Sequence, residues 1–137
     1  MSEIKSKVLA LKYRPQTFDD LIGHQVMCDT IKNSIRTSNI ANAFLLTGIR
    51  GIGKTSTARI ISKSINCKNG FENICKENYC ENCEAISNSN SLDTIEYDAA
   101  SQSGVDQIRE ILDFCRFPPS TSKYKIIILD ECHMLSK

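Results

Sequence analysis

The stretch TGIRGIGKTSTAR, residues 47 to 59, constrains this chain most, because Gly48, Gly53, Lys54 and Thr55 satisfy the pattern G-x-x-x-x-G-K-[ST]. Such a loop needs a strand ahead of it and a helix behind it. Its glycines let successive backbone N–H groups turn inward on phosphate oxygens, and the first turn of the helix adds partial positive charge. The candidate phosphate contacts are Gly48, Ile49, Arg50, Gly51, Ile52, Gly53, Lys54, Thr55 and Ser56. Lys54 has the reach to meet the β and γ phosphates of a nucleotide, and Thr55 offers a hydroxyl to Mg²⁺, a hard cation that prefers oxygen ligands. The plain alternative is a glycine turn between strand and helix that leaves Lys54 and Thr55 without a chemical task.

The flanks carry the patterns that the loop requires. NAFLLTG, residues 42 to 48, reads as a short apolar strand closed by glycine, and Ala58, Ile61 and Ile65 then recur on one helical face. Upstream, YRPQTFDDLIG is irregular, and Val26, Cys28, Ile31 and Ile35 predict a helix over about 24 to 38. Downstream, LDTIEYDA reads as a strand. Val105, Ile108, Leu112 and Cys115 then share a helical face that PPS closes, and YKIIILDE reads as a strand covered on both faces. Strands alternating with helices predict an α/β fold with a parallel sheet and right-handed crossovers.

That last strand ends in the acidic pair such a loop needs. Asp130 is placed to hold the Mg²⁺ shell, and Glu131 to polarise an attacking water, since its neighbour is committed to metal. Lys54 and Glu131 are therefore the candidate catalytic residues. His133 follows closely, but a lone histidine after a strand is more often a hydrogen-bonded structural group than a base.

Between the halves lies CKNGFENICKENYCENC, a polar stretch without periodicity that a hydrophobic core cannot order. Cys67, Cys75, Cys80 and Cys83 form C-x7-C-x4-C-x2-C within it. Four thiolates are what tetrahedral Zn²⁺ takes, and a closed shell of four makes the site structural. Incidental thiols in a flexible loop are the other reading. The remaining cysteines, Cys28, Cys115 and Cys132, are expected to pack as small hydrophobes.

Composition narrows the function class. A net charge of +1 over 137 residues, with 41% hydrophobic residues, describes about one globular domain and supplies no whole-chain field toward nucleic acid or lipid. No run is long enough to span a bilayer, the first residues lack the form of a secretory signal, and an odd cysteine count suits a reducing compartment, so the expected location is the cytoplasm.

Taken together, ALKYRPQTFDDLIG, AFLLTGIRGIGKTSTARIISKSINC, IEYDAASQSGVDQIREI and KYKIIILDECHMLSK, in this order around a cysteine insertion, resemble the gamma/tau subunits of bacterial DNA polymerase III. The resemblance runs from about residue 10 to the last residue. It implies a P-loop NTPase of AAA+ type, with residues 1 to 137 as the N-terminal part of the module and residues 66 to 84 as a zinc-binding insertion. It further implies Walker A from Gly48 to Thr55, Walker B at Asp130 and Glu131, and an adenine side lined by Tyr13, Arg14, Pro15 and Ile22. The implied function is ATP-driven loading of a sliding clamp onto primed DNA, in an assembly with delta, delta prime and further gamma/tau copies and with no membrane partner. The implied cofactors are ATP, Mg²⁺ and Zn²⁺.

The sequence departs from the family at His24, usually Gln, at Cys132, usually a branched apolar residue, and in the four residues between Cys75 and Cys80. The family's sensor strand, arginine finger, lid and collar have no counterpart in these residues. In the family fold the sensor strand separates the Walker A and Walker B strands, so Ala43 to Thr47 are expected to lack paired neighbours, the two halves of the site to lose their register, and nucleotide binding and turnover to be weak. Two further readings remain: a DExH-type helicase, from DECH, and an inactive fragment that binds ATP and zinc or docks on partner subunits.

Overall fold

Helix α3, Lys54–Asn66, is the central element of the computed structural model, which describes residues 8 to 102 and 104 to 135. The first seven residues, where a secretory signal would begin, lie outside the described residues, as do Ser103 of AASQSGV and the Ser136 and Lys137 that end DECHMLSK. Helix α1, Leu9–Lys12, precedes a single 3-10 turn at Phe18–Asp20, and α2, Gln25–Arg36, then packs against α3. Phe18, Cys28, Ile31, Ile35, Ile60 and Ile61 form the core between them. The 3.6-residue period places Cys28, Ile31 and Ile35 on that inner face, whereas Val26, expected beside them, points to solvent at 82% exposure.

After α3 the chain forms the cysteine insertion and the short helix α4, Glu81–Ser87, which lies against α3. Strand β1, Thr94–Asp98, crosses through α5, Val105–Arg116, to β2, Ile126–Asp130, and the two strands pair in parallel with Glu96 opposite Ile128 and Asp98 opposite Asp130. Asp93 fixes this register. Its carboxylate is wholly buried and accepts the backbone amides of Ser120, Thr121 and Ser122 at 2.7, 2.7 and 2.8 Å, clamping the return loop to the start of β1.

Three expectations fail for one physical reason, which is that the sheet among the described residues has only two strands. Ala43 to Thr47 form no strand although their pattern suggests one: as the resemblance implied, no neighbouring strand offers partners, their backbone makes no hydrogen bond to other backbone among the described residues, and Leu45 is 78% exposed. Strand β2 is not covered on both faces, since only Ile128 is buried and Leu129 is 42% exposed. Helix α5 is amphipathic yet buries no residue, so Val105 and Leu112 face solvent and Cys115 is exposed rather than a core thiol. Cys132 is exposed as well, and of the three expected core thiols only Cys28 is buried.

Candidate phosphate-binding loop and cysteine centre

The loop from Gly48 to Gly53 is turned by backbone conformations that suit glycine. Gly53 caps α3 in the left-handed region at φ 92°, and a Cβ on Gly48 would sit 2.2 Å from Ile52 Cδ1. The helix starts at Lys54, so the amides of its first turn have no partner within the helix, an arrangement that favours an anion. Lys54 Nζ donates to the carbonyl oxygens of Gly48 and Ile49 at 2.8 and 2.9 Å, which folds the ammonium back over the loop. Ile49, Arg50 and Gly51 are exposed at the loop's tip, while Ile52, Thr55 and Ser56 are half-buried.

Although no strand lies between them, the two halves of the site meet. Thr55 Oγ1 donates to Asp130 Oδ2 at 2.7 Å across 75 residues of sequence, because α3 packs directly on β2. The expected loss of register is therefore not seen at this contact. The other Asp130 oxygen accepts the Glu131 amide at 3.0 Å. Glu131 itself sits in the left-handed region at φ 51°, an uncommon conformation for a residue with a side chain, which turns the chain sharply at the end of β2. His133 Nε2 lies 3.4 Å from Glu131 Oε2, a contact in keeping with a structural histidine.

Several residues that sequence reasoning passed over complete this corner. Arg59, one turn after Thr55 on α3, makes a two-pronged ion pair with Glu96 of β1 at 2.5 and 2.7 Å, and both side chains are largely buried. The carboxylate raises the pKa of the guanidinium, against the lowering effect of burial. Asp98 stands opposite Asp130 in the ladder, and Thr55, Glu96, Asp98 and Asp130 share a cleft of about 240 Å³. The Thr55 hydroxyl and three carboxylates, of which Glu96 is taken up by Arg59, form an oxygen-rich donor set that suits Mg²⁺. Pattern reading could locate Asp98 only as the end of a strand, since its nearness to Asp130 depends on register.

On the other side of Lys54 opens an apolar cavity of about 470 Å³, walled by Met27, Ile31, Phe44, Leu45 and Ile52 among others. None of Tyr13, Arg14, Pro15 or Ile22 lines it. Tyr13 and Ile22 are 73% and 98% exposed, and Arg14 and Pro15 are half-buried ahead of the Phe18 turn. The structure thus joins Thr55 and Asp130, holds the Lys54 ammonium on the carbonyls of Gly48 and Ile49 beside the apolar cavity, and does not bring the four expected adenine-side residues to either cavity.

The cysteines converge as their spacing suggested. Sulfurs of Cys67, Cys75, Cys80 and Cys83 all lie within 4.8 Å of one another, with Cys67 at 3.7 Å from Cys75 and 4.0 Å from Cys80. Tetrahedral thiolate bonds of about 2.3 Å to a metal require sulfurs about 3.8 Å apart, so the donor set fits. The Cys75 sulfur also accepts the Cys80 amide at 3.3 Å and Asn69 Nδ2 at 3.2 Å, which fix its position. Burial would raise the Cys80 thiol, but backbone amides of Cys83 and Lys68 and neighbouring thiols bring it down to about 7; burial raises Cys83, the innermost of the four. These thiols are the insertion's own core, with Tyr79 packed on them.

A family model described as "DNA polymerase III, delta subunit" matches residues 23 to 137. The chain is 47% identical over 131 residues to "DNA polymerase III subunit gamma" of Buchnera aphidicola subsp. Baizongia pistaciae, covering 95% of this chain and 35% of that protein. It is 43% identical to "DNA polymerase III subunit tau" of Bacillus subtilis, covering 90% and 22%, and 39% identical to the tau subunit of Escherichia coli, covering 96% and 20%. The chain therefore spans about a third or less of these curated relatives. No helix among the described residues is long and apolar enough to cross a membrane.

Proposed function

The chain belongs to the DNA polymerase III, delta subunit, family and is similar to gamma and tau subunits, and from that premise we propose that residues 1 to 137 are the N-terminal part of an AAA+ ATPase module whose glycine loop binds Mg²⁺–ATP. In the whole protein this module acts in DNA replication, in the cytoplasm, using ATP binding and hydrolysis to load a sliding clamp onto primed DNA together with delta, delta prime and further gamma/tau copies. The observation that supports the reading is the 2.7 Å contact between Thr55 and Asp130, which brings the start of α3 to the acidic end of β2 across 75 residues of sequence. The relatives give the DExH helicase reading no support.

The residues divide the work. Free amides at the start of α3 and the Lys54 ammonium hold the phosphates, Thr55 and Asp130 hold Mg²⁺, and Glu131 accepts a proton from the attacking water. Mg²⁺, when bound, neutralises charge between the β and γ phosphates. The Arg59–Glu96 pair keeps α3 aligned on β1, so that Thr55 stays opposite Asp130. The cysteine tetrad holds structural Zn²⁺ and orders residues 66 to 84.

With Ala43 to Thr47 unpaired, the loop lacks rigid support on its N-terminal side, and a displacement of about 1 Å is enough to cost much of a rate. Weak nucleotide binding and little turnover by this chain alone follow. The test is titration of Mg²⁺–ATP into zinc-loaded wild type and Lys54→Ala, with circular dichroism confirming that both are folded. Saturable binding that the substitution removes is expected; no binding by a folded wild type would refute the reading for this chain.

A further inference from the structure

Lys63 is a buried charge that the phosphate site does not use. It sits on α3 at 2% exposure, and both hydrogen bonds of its ammonium among the described residues go to Gln16, to the backbone oxygen at 3.2 Å and to Oε1 at 3.0 Å. Neither acceptor carries charge. A lysine this deeply buried needs an anion nearby, because removing an ammonium from water is costly. Tyr79, from the cysteine insertion, presents its ring 4.6 Å from the ammonium. Burial lowers the affinity of Lys63 for its proton, and the groups that raise it again are the sulfurs of Cys83, Cys75 and Cys67, together with Asp20.

A divalent metal held by four thiolates carries a net charge of about −2, and such centres depend on partners behind the ligands that balance the charge and fix the geometry. Accepting the reading of the tetrad as a metal centre, we propose that Lys63 is its built-in counter-ion, and that Lys63 and Tyr79 together tie metal occupancy to the placement of the segment from Arg14 to Thr17. The link is continuous. Gln16 Oε1 accepts from both the Lys63 ammonium and the Tyr79 hydroxyl, the latter at 3.1 Å, while Gln16 Nε2 donates to the Arg14 carbonyl at 3.0 Å. The amides of Gln16 and Thr17 then close on the Asp20 carboxylate at 3.0 and 2.9 Å. Lys63, Tyr79 and Gln16 are positioning residues, and they connect the insertion to the chain that leads into the α2–α3 core.

The test uses Co²⁺ as the probe and the 137-residue chain, comparing wild type, Lys63→Met and Tyr79→Phe. Wild type is expected to take up one Co²⁺ with the absorption of a four-thiolate site. Lys63→Met is expected to weaken that uptake about tenfold or more, the range seen when a group behind metal ligands is removed. Tyr79→Phe keeps every ligand and the Lys63 charge, so its loss of Co²⁺ affinity should be smaller than that of Lys63→Met and no larger than the coupling it removes. In the metal-loaded state, however, it should show severalfold faster hydrogen exchange at the Gln16 and Thr17 amides, with the α2 amides unchanged. Equal Co²⁺ affinity in wild type and a folded Lys63→Met would overturn the counter-ion, and unchanged exchange in Tyr79→Phe would overturn the link even where Lys63→Met does not fold. Faster exchange throughout α2 also counts against it, since that reports general loosening. Absence of the four-thiolate absorption in wild type would remove the metal reading itself.

Discussion

Replacing Asp93 by asparagine tests how the strand pair that delivers Asp130 is held. The Asp93 carboxylate accepts three backbone amides and the Thr121 hydroxyl, the last at 3.1 Å. Burial alone would raise its pKa, but these four donors outweigh burial and bring it from the ordinary 3.8 to about 2. At about 1.36 kcal/mol per unit, ionised Asp93 contributes about 2.5 kcal/mol to folding at neutral pH. Because the folded pKa is depressed, this contribution is complete above the unfolded value, near 4, and is lost as pH falls toward 2. An asparagine side chain at this position offers one acceptor oxygen without charge, so Asp93→Asn should cost about 2.5 kcal/mol at pH 6, and the gap should narrow by about 1 kcal/mol at pH 3. Urea unfolding of both proteins, followed by circular dichroism at pH 6, 4 and 3, reads this directly as a difference in midpoint. A gap that stays constant from pH 6 to pH 3, or one below about 0.5 kcal/mol at pH 6, would show that the carboxylate's charge does not secure the loop.

Thiol reactivity should separate the cysteines by environment. In zinc-loaded protein Cys115 and Cys132 react quickly with a disulfide reagent and Cys28 slowly, and four more thiols become reactive once a chelator strips the tetrad. Glu96→Gln leaves Arg59 half-paired in a largely buried setting, so a loss of roughly 1 to 3 kcal/mol is expected in urea titration, with weaker Mg²⁺–ATP binding measured alongside. Ile60 is 1% exposed between α2 and α3, and Ile60→Ala should cost about 3 kcal/mol in the same unfolding assay.

Much of this protein was legible before any coordinate. The glycine loop, its lysine and its threonine are local requirements of short-range geometry, so a pattern over eight residues located the start of α3 correctly. Helices α2 and α5 and both strands announced themselves through periodicity, and four cysteines in 17 residues implied a common centre, because little else can order a polar stretch. What periodicity could not decide was which faces find partners. NAFLLTG has the composition of a buried strand, yet a strand exists only where neighbours supply hydrogen bonds, and among the described residues none stands beside Ala43 to Thr47. The apolar face of α5 is as regular as that of α2, but only α2 has an opposing helix to cover it. The pairing of Thr55 with Asp130, the clamp at Asp93 and the burial of Lys63 against Gln16 each join residues far apart in the chain. Their energies depend on distance and desolvation in three dimensions. The amino-acid order therefore determined which groups could do chemistry, and the tertiary structure alone decided which of them meet.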